Sequence, residues 1–202
     1  MIIELYLMFV LATALLIATP GPNVALIVGT SLTHGARTGL IAMAGVNLGV
    51  MVQLIVVAAG LSWIVELFAK NFDVIRFVGA AYLLFLGIQI LWKARKTQPP
   101  QPLSPQRAFS RGLAVAFANP KTLIFQAAFL PQFLSDGEGR QAQLWLLAAT
   151  FWIITVVGDA IWVLCAARLR AAVSGRAQLI ADRVSGAILI AGAGVLLAAS
   201  RR

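Results

Sequence analysis

Apolar residues gather into six long runs along this 202-residue chain, at about 5–30, 38–65, 74–92, 112–134, 144–167 and 184–199. A helix needs roughly 20 apolar residues to cross a hydrocarbon core, so the pattern predicts an all-α membrane protein with six transmembrane helices. The last run reaches that length only if it begins near Leu179. The interruptions are as informative as the runs. Thr19-Pro20-Gly21-Pro22-Asn23 falls inside the first run, and each proline removes a backbone N–H and clashes with the preceding turn. A kink in a continuous helix is the plain reading. A fully broken helix at bilayer depth survives only where it is buried in protein or lines a wet cavity. The fourth run carries its own disturbance, Asn119-Pro120-Lys121 followed by Pro131-Gln132-Phe133. Proline-broken first and fourth spans at corresponding positions point to a midplane binding site.

Between the third and fourth runs, residues 93–111 contain Gln98-Pro99-Pro100-Gln101-Pro102 and Pro105 and read as an extended, cytoplasmic linker. It divides the chain into a three-helix repeat over 1–92 and a second over 112–202. An odd number of spans per half makes the second half enter the membrane from the opposite side, the arithmetic of an inverted repeat. An ungapped overlay of Arg76–Arg95 on Arg183–Arg202 supports this: it pairs Arg76 with Arg183, Gly79 with Gly186, Ala80 with Ala187, Gly87 with Gly194 and Arg95 with Arg202. Compositional likeness of glycine- and alanine-rich helices would give a similar match. Gly45 with Gly49, and Gly79 with Gly87, are spaced to let helices pack closely.

Composition sharpens the class. The chain is 60% hydrophobic and 11% charged, with mean hydropathy +0.90, which excludes a water-soluble domain of this size. No basic head precedes the first run, so it is expected to remain as a span. The net charge of +9 sits mainly between spans, where basic residues set topology; this speaks against nucleic acid as a partner. Arg37, Lys93, Arg95, Lys96, Arg107, Arg111, Arg168, Arg170, Arg176 and Arg183 share one face, expected to be cytoplasmic, which leaves both termini outside. Trp63, Trp92 and Trp145 lie near span ends as interfacial anchors. The lone Cys165 excludes a two-cysteine redox or thiolate metal site and is expected to be a buried small residue. His34 is the single histidine, placed in the short loop after the broken span.

Asn47, Lys121 and Asp159 lie inside apolar runs, where ionisable groups are costly and mark function. At about 1.5 Å per residue, Lys121 and Asn47 lie roughly 14 Å, and Asp159 roughly 12 Å, from the cytoplasmic ends of their spans. The Thr19–Asn23 break falls a little nearer the cytoplasm. Four elements from four spans thus share one depth. Free N–H groups after Pro22, with Lys121, offer positive potential for a carboxylate. Asp159 suits an ammonium or a proton. Asn23, Asn47, Asn119, Gln132 and the carbonyls freed by Pro20 and Pro120 would complete the lining. The competing structural reading is a Lys121–Asp159 ion pair that only joins two helices.

These residues together resemble the LysE/RhtB family of amino-acid exporters. The likeness rests on Thr19-Pro20-Gly21-Pro22-Asn23, His34-Gly35-Ala36-Arg37-Thr38-Gly39, Gly79-Ala80-Ala81-Tyr82-Leu83 with Gly87-Ile88-Gln89, Asn119-Pro120-Lys121, Phe125, Pro131-Gln132-Phe133 and Asp159. Phe125-Gln126-Ala127-Ala128-Phe129 is less aromatic than the family pattern. The resemblance implies a bacterial inner-membrane secondary transporter that exports amino acids or close derivatives by proton exchange, works as a homodimer and uses no cofactor or metal. A membrane-embedded enzyme acting on lipid head groups would need a nucleophile or metal cluster that the sequence does not display. A passive scaffold would not require intramembrane Lys and Asp.

Overall fold

The computed structural model describes residues 3–59, 72–95, 102–135, 139–172 and 175–198. Its elements are α1 (Ile3–Ala18), α2 (Pro22–His34), α3 (Ala36–Ala58), α4 (Phe72–Arg95), α5 (Pro105–Ala118), α6 (Pro120–Ile124), a π-helical turn (Phe125–Phe129), a 3₁₀ turn (Leu130–Phe133), α7 (Arg140–Ala172) and α8 (Gly175–Ala198). Trp63, Glu66, Lys70, Lys96, Gln98–Gln101, Asp136, Glu138, Arg201 and Arg202 lie outside the described residues.

The first apolar run is two helices, α1 and α2, bent by 48° at the break. Pro22 takes the first position of α2, where a missing N–H leaves no bond unmade, so the same residues that end α1 start its successor. The fourth run is divided further, into α5, α6 and the two turns. Among the described residues three helices are long and apolar enough to span a membrane: Ala36–Ala58, Arg140–Arg170 and Leu179–Ala198. The bent α1–α2 pair makes a fourth when counted as one broken span, and Phe77–Trp92 in α4 is a shorter apolar segment.

Two expectations need correction. Residues 93–95 and 105–111, read as parts of an extended linker, are helical: α4 continues to Arg95 and α5 begins at Pro105. Ser104 caps α5 by accepting from Arg107 N at 3.4 Å, and Pro105 fills its first position, so residues read as breakers are helix-starting signals. Cys165 is exposed on the outer face of α7, because the buried phase of that stretch falls on Val163 and Ala166.

Neighbouring helices have definite directions. Helix α3 runs parallel to α5, with Gly45 on Phe109, Gly49 on Ala116 and Gly112 on Ala42. A Cβ added at Gly45 would lie 2.1 Å from Phe109 O, so backbone touches backbone there. Helix α4 lies antiparallel to α8, Gly87 against Gly186 and Gly79 against Leu196. Helix α7 runs antiparallel to α3, where Gln141 donates to Ala58 O and Trp152 Nε1 to Asn47 O, and parallel to α1, where Tyr6 meets Thr150. Helix α2 is antiparallel to α8 through Pro22–Gly192, Gly29–Ser185 and Thr33–Asp182.

The core mixes both halves of the chain. Phe9, Ile27, Val46, Val50, Phe125, Leu147 and Phe151 share one cluster, and Leu26, Leu83, Leu86, Val115 and Leu189 share another. Outward faces are also apolar, with Leu11, Leu15, Phe77, Phe85, Val157 and Ile161 exposed. Helices apolar on all sides suit a bilayer.

Candidate functional site

The break at residues 19–21 leaves a set of carbonyls without their usual donors. In a continuous helix Leu16 O would accept from residue 20, but Pro20 has no N–H. The ammonium of Lys121, from the second broken run, donates to Leu16 O at 2.8 Å, beside a longer 3.2 Å contact from Thr19 N, and to Thr19 O at 2.5 Å. Trp162 Nε1 of α7 donates to Ile17 O at 3.3 Å. A cation on the last turn of α1 also meets the negative end of its dipole. Gly21 makes room for this contact, since a Cβ there would lie 3.2 Å from Lys121 Cε. Thr19 turns its hydroxyl back onto Leu15 O at 2.8 Å and remains exposed, as does Pro20. Gly21, Pro22 and Asn23 are buried, and Asn23 Oδ1 has no protein hydrogen-bond partner.

The second break follows the same logic. Pro120 deprives Ala116 O of its donor, and Gln53 Nε2 of α3 supplies one at 3.0 Å, beside a longer 3.3 Å contact from Asn119 N. Asn119 Oδ1 then caps α6 by accepting from Lys121 N at 3.1 Å, which fixes where the Lys121 side chain departs. Beyond α6 the chain widens into the π turn, in which Leu130 N bonds Phe125 O. Phe125 packs on Phe9, Phe129 and Phe151, with ring centroids 6.2, 5.6 and 5.4 Å away.

Beside the breaks, Asn47 Nδ2 donates to Asp159 Oδ2 at 3.0 Å. Asp159 is 2% exposed, so a charged carboxylate there depends on its few partners. Lys121 lies near enough to act on it electrostatically, yet the ammonium is bonded to the α1 carbonyls. Gly158 permits this proximity: a Cβ at that position would sit 2.4 Å from Ile17 Cγ2, so α7 presses on the end of α1.

The structure therefore brings Gly21, Asn23, Asn47, Asn119, Pro120, Lys121 and Asp159 to the two breaks. Gln132 sits exposed in the 3₁₀ turn, beyond the π turn, and is not among them. Gln53, Trp152 and Trp162, which donate to main-chain carbonyls here, are not among the residues the sequence singles out. A proline marks the carbonyl four residues earlier as needing a foreign donor, a signal that for Pro120 points to an uncharged amide such as Gln53. Thr13 Oγ1, Asn47 Oδ1, Gln53 Oε1, Asn119 Nδ2 and Gln126 Nε2 are buried without a hydrogen-bond partner among the described residues. Such groups need an explanation. By type they are two amide donors and three acceptors, and the Lys121 ammonium keeps a third N–H beyond its two carbonyl bonds. No group of three or more potential metal-ligating side chains occurs among the described residues.

Residues 14–200 match the family of LysE type translocators. A homoserine/homoserine lactone efflux protein of Salmonella typhimurium is 30% identical over 205 residues, covering 100% of this chain and 99% of that protein. A leucine efflux protein of Klebsiella pneumoniae is 30% identical over 155 residues, 74% of this chain and 73% of its own length. An uncharacterised membrane protein of Pseudomonas aeruginosa is 30% identical over 200 residues, 94% of this chain and 93% of that protein. No solved structure matches. With its apolar helices and this match over most of its length, the chain is a multi-pass membrane protein and belongs to the LysE-type translocator family.

Proposed function

We propose that this chain exports a small amino acid or close derivative across the bacterial inner membrane in exchange for a proton. The observation that carries the reading is the meeting of Lys121 with the open end of α1, beside the buried Asn47–Asp159 pair. Lys121 and the donors Asn119 and Gln126 receive the substrate carboxylate; Asn23 and Asn47 oxygens receive its ammonium. Asp159 carries the proton. The efflux proteins among the relatives support this class of substrate.

Six spans in two inverted three-helix repeats, over 1–92 and 112–202, form the framework. Helix directions support it: α3 and α5 run one way, α1 and α7 the other, and α4 opposes α8, as alternating spans require. Alternating access follows if the two broken runs rock against the rest. Lys121 leaves the α1 carbonyls for the substrate carboxylate and returns when the site empties. The basic loops face the cytoplasm, both termini lie outside, and two copies associate in the membrane. Proteoliposomes preloaded with labelled homoserine or leucine test the mechanism. Native protein should release label faster under an imposed pH gradient, and Asp159→Asn should lose that acceleration while remaining folded. Equal acceleration in both proteins refutes the proton role of Asp159.

A further inference from the structure

The motif His34-Gly35-Ala36-Arg37-Thr38 plays no part in the central site, yet it lines a cavity of its own. Gly35 ends α2 with φ +88°, a left-handed conformation that suits glycine, and its N–H bonds Ser31 O. The sharp turn places Thr33 and His34 at the end of α2 opposite Thr38 at the start of α3. Arg170 of α7 closes over the turn; a Cβ on Gly35 would lie 2.6 Å from its Nη1. Pro102 and Leu103, just before α5, complete the wall of a space of about 320 Å³. Small-molecule sites begin near about 300 Å³, so the cavity accommodates a ligand of amino-acid size.

Its chemistry is mixed. The lining offers a guanidinium, an imidazole and two threonine hydroxyls. Arg37 stands exposed nearby on α3, adding positive charge. Behind Thr33 stands Asp182 of α8, which accepts from Thr33 Oγ1 at 3.1 Å and is also influenced by His34. A carboxylate fits Arg170, which can present two parallel N–H groups to it. Asp182 is not part of the wall, but through its bond to Thr33 it sets a negative charge one side chain behind the space an ammonium on the same molecule would take. A doubly charged phosphate would gain from Arg170 but be opposed by Asp182.

We propose that this cavity is a second binding site, a cytoplasmic staging post for the zwitterionic amino acid before it reaches the breaks. The idea rests on the exporter reading for the identity of its ligand. Helix α2 connects the two sites, its Pro22 end at the first break and its His34 end here, about 18 Å apart at the helical rise. The staging site raises the supply of substrate to the central site and takes no part in proton exchange.

Equilibrium binding of labelled homoserine and leucine to the intact protein in nanodiscs, with efflux kinetics on the same samples, tests this. Native protein should bind two molecules per chain. Arg170→Gln and Thr38→Val should each bind one and raise the half-saturating cytoplasmic concentration for efflux, about tenfold for Arg170→Gln, with the maximal rate unchanged. Lys121→Met should also bind one, and that one should depend on Arg170. If both cavity variants keep native stoichiometry and half-saturation, the staging site is refuted while the exporter reading stands. If excess acetate or inorganic phosphate displaces the Arg170-dependent molecule as well as homoserine does, the amino-acid assignment is refuted in favour of a general anion site. If neither labelled amino acid binds or moves with native protein, both proposals fall together.

Discussion

Gln53→Leu, measured alone and together with Pro120→Ala, tests whether a side chain of α3 substitutes for the N–H that proline lacks. In the native chain Gln53 Nε2 is the better of two donors to Ala116 O, at 3.0 Å against 3.3 Å from Asn119 N. A hydrogen bond of this kind is worth about 0.5–1.5 kcal/mol net, and side-chain bonds inside membrane bundles average about 0.6 with a maximum near 1.7. Leucine also removes Gln53 Oε1, a buried acceptor without a partner, which reduces the loss. The expected cost of Gln53→Leu is therefore about 1 kcal/mol, roughly a fivefold change in the unfolding equilibrium. Pro120→Ala returns an N–H to the position four residues beyond Ala116, and the carbonyl then has a local donor. In that background Gln53→Leu should cost close to nothing, and the difference between the two costs is the coupling energy. Reversible unfolding in mixed micelles gives all four stabilities. Equal costs in the two backgrounds refute the substitution argument, whatever the size of either cost.

Lys121→Met removes two charge-assisted bonds to the α1 carbonyls and should lower stability in the same assay by about 2 kcal/mol or more, with export abolished; unchanged stability would show that α1 is capped some other way. Gly45→Ala places a methyl group against Phe109 O of α5 and should cost about 1–3 kcal/mol, whereas Gly194→Ala meets nothing within 4 Å and should be neutral or slightly stabilising. Similar melting temperatures for those two variants would contradict the close crossing of α3 and α5.

Some of this arrangement could be read from one dimension and some could not, for physical reasons. Helical rise is nearly constant, so depth follows from counting: Asn47 and Asp159 come out at one level, and in the structure they are hydrogen-bonded. Lateral neighbours do not follow from counting. Helices apolar on every side present no preferred face, and the glycine spacing of α3 indicates a close partner without naming α5. The pairing of Lys121 with the α1 carbonyls does not follow from counting either, since a main-chain acceptor carries no residue-type signal and Asp159 at the same depth is an equally legible partner. Trp152 and Trp162 lie inside a span and carry no positional signal, yet both aim their indole N–H inward at main-chain carbonyls, of Asn47 and Ile17. The helical start at Ser104-Pro105 is ambiguous in the sequence because proline signals both an end and a beginning.

The two breaks are not independent of each other. The carbonyl that Pro20 deprives of its donor in the first half takes its shorter hydrogen bond from Lys121 of the second, and the carbonyl that Pro120 deprives in the second half takes its shorter one from Gln53 of the first. Each half thereby supplies the donor that makes the other's interruption tolerable in a medium without water. The two donors differ in kind. Gln53 is a neutral amide whose Nε2 is committed to one carbonyl, a fixed strut between α3 and the end of α5. Lys121 is an ammonium with three donors and two carbonyl acceptors, and a carboxylate is a stronger acceptor than either carbonyl. An anionic ligand can therefore compete for Lys121 where nothing comparable competes for Gln53. The asymmetry makes the first break the one whose cap a substrate could remove, and it leaves the second as the anchor from which Lys121 reaches.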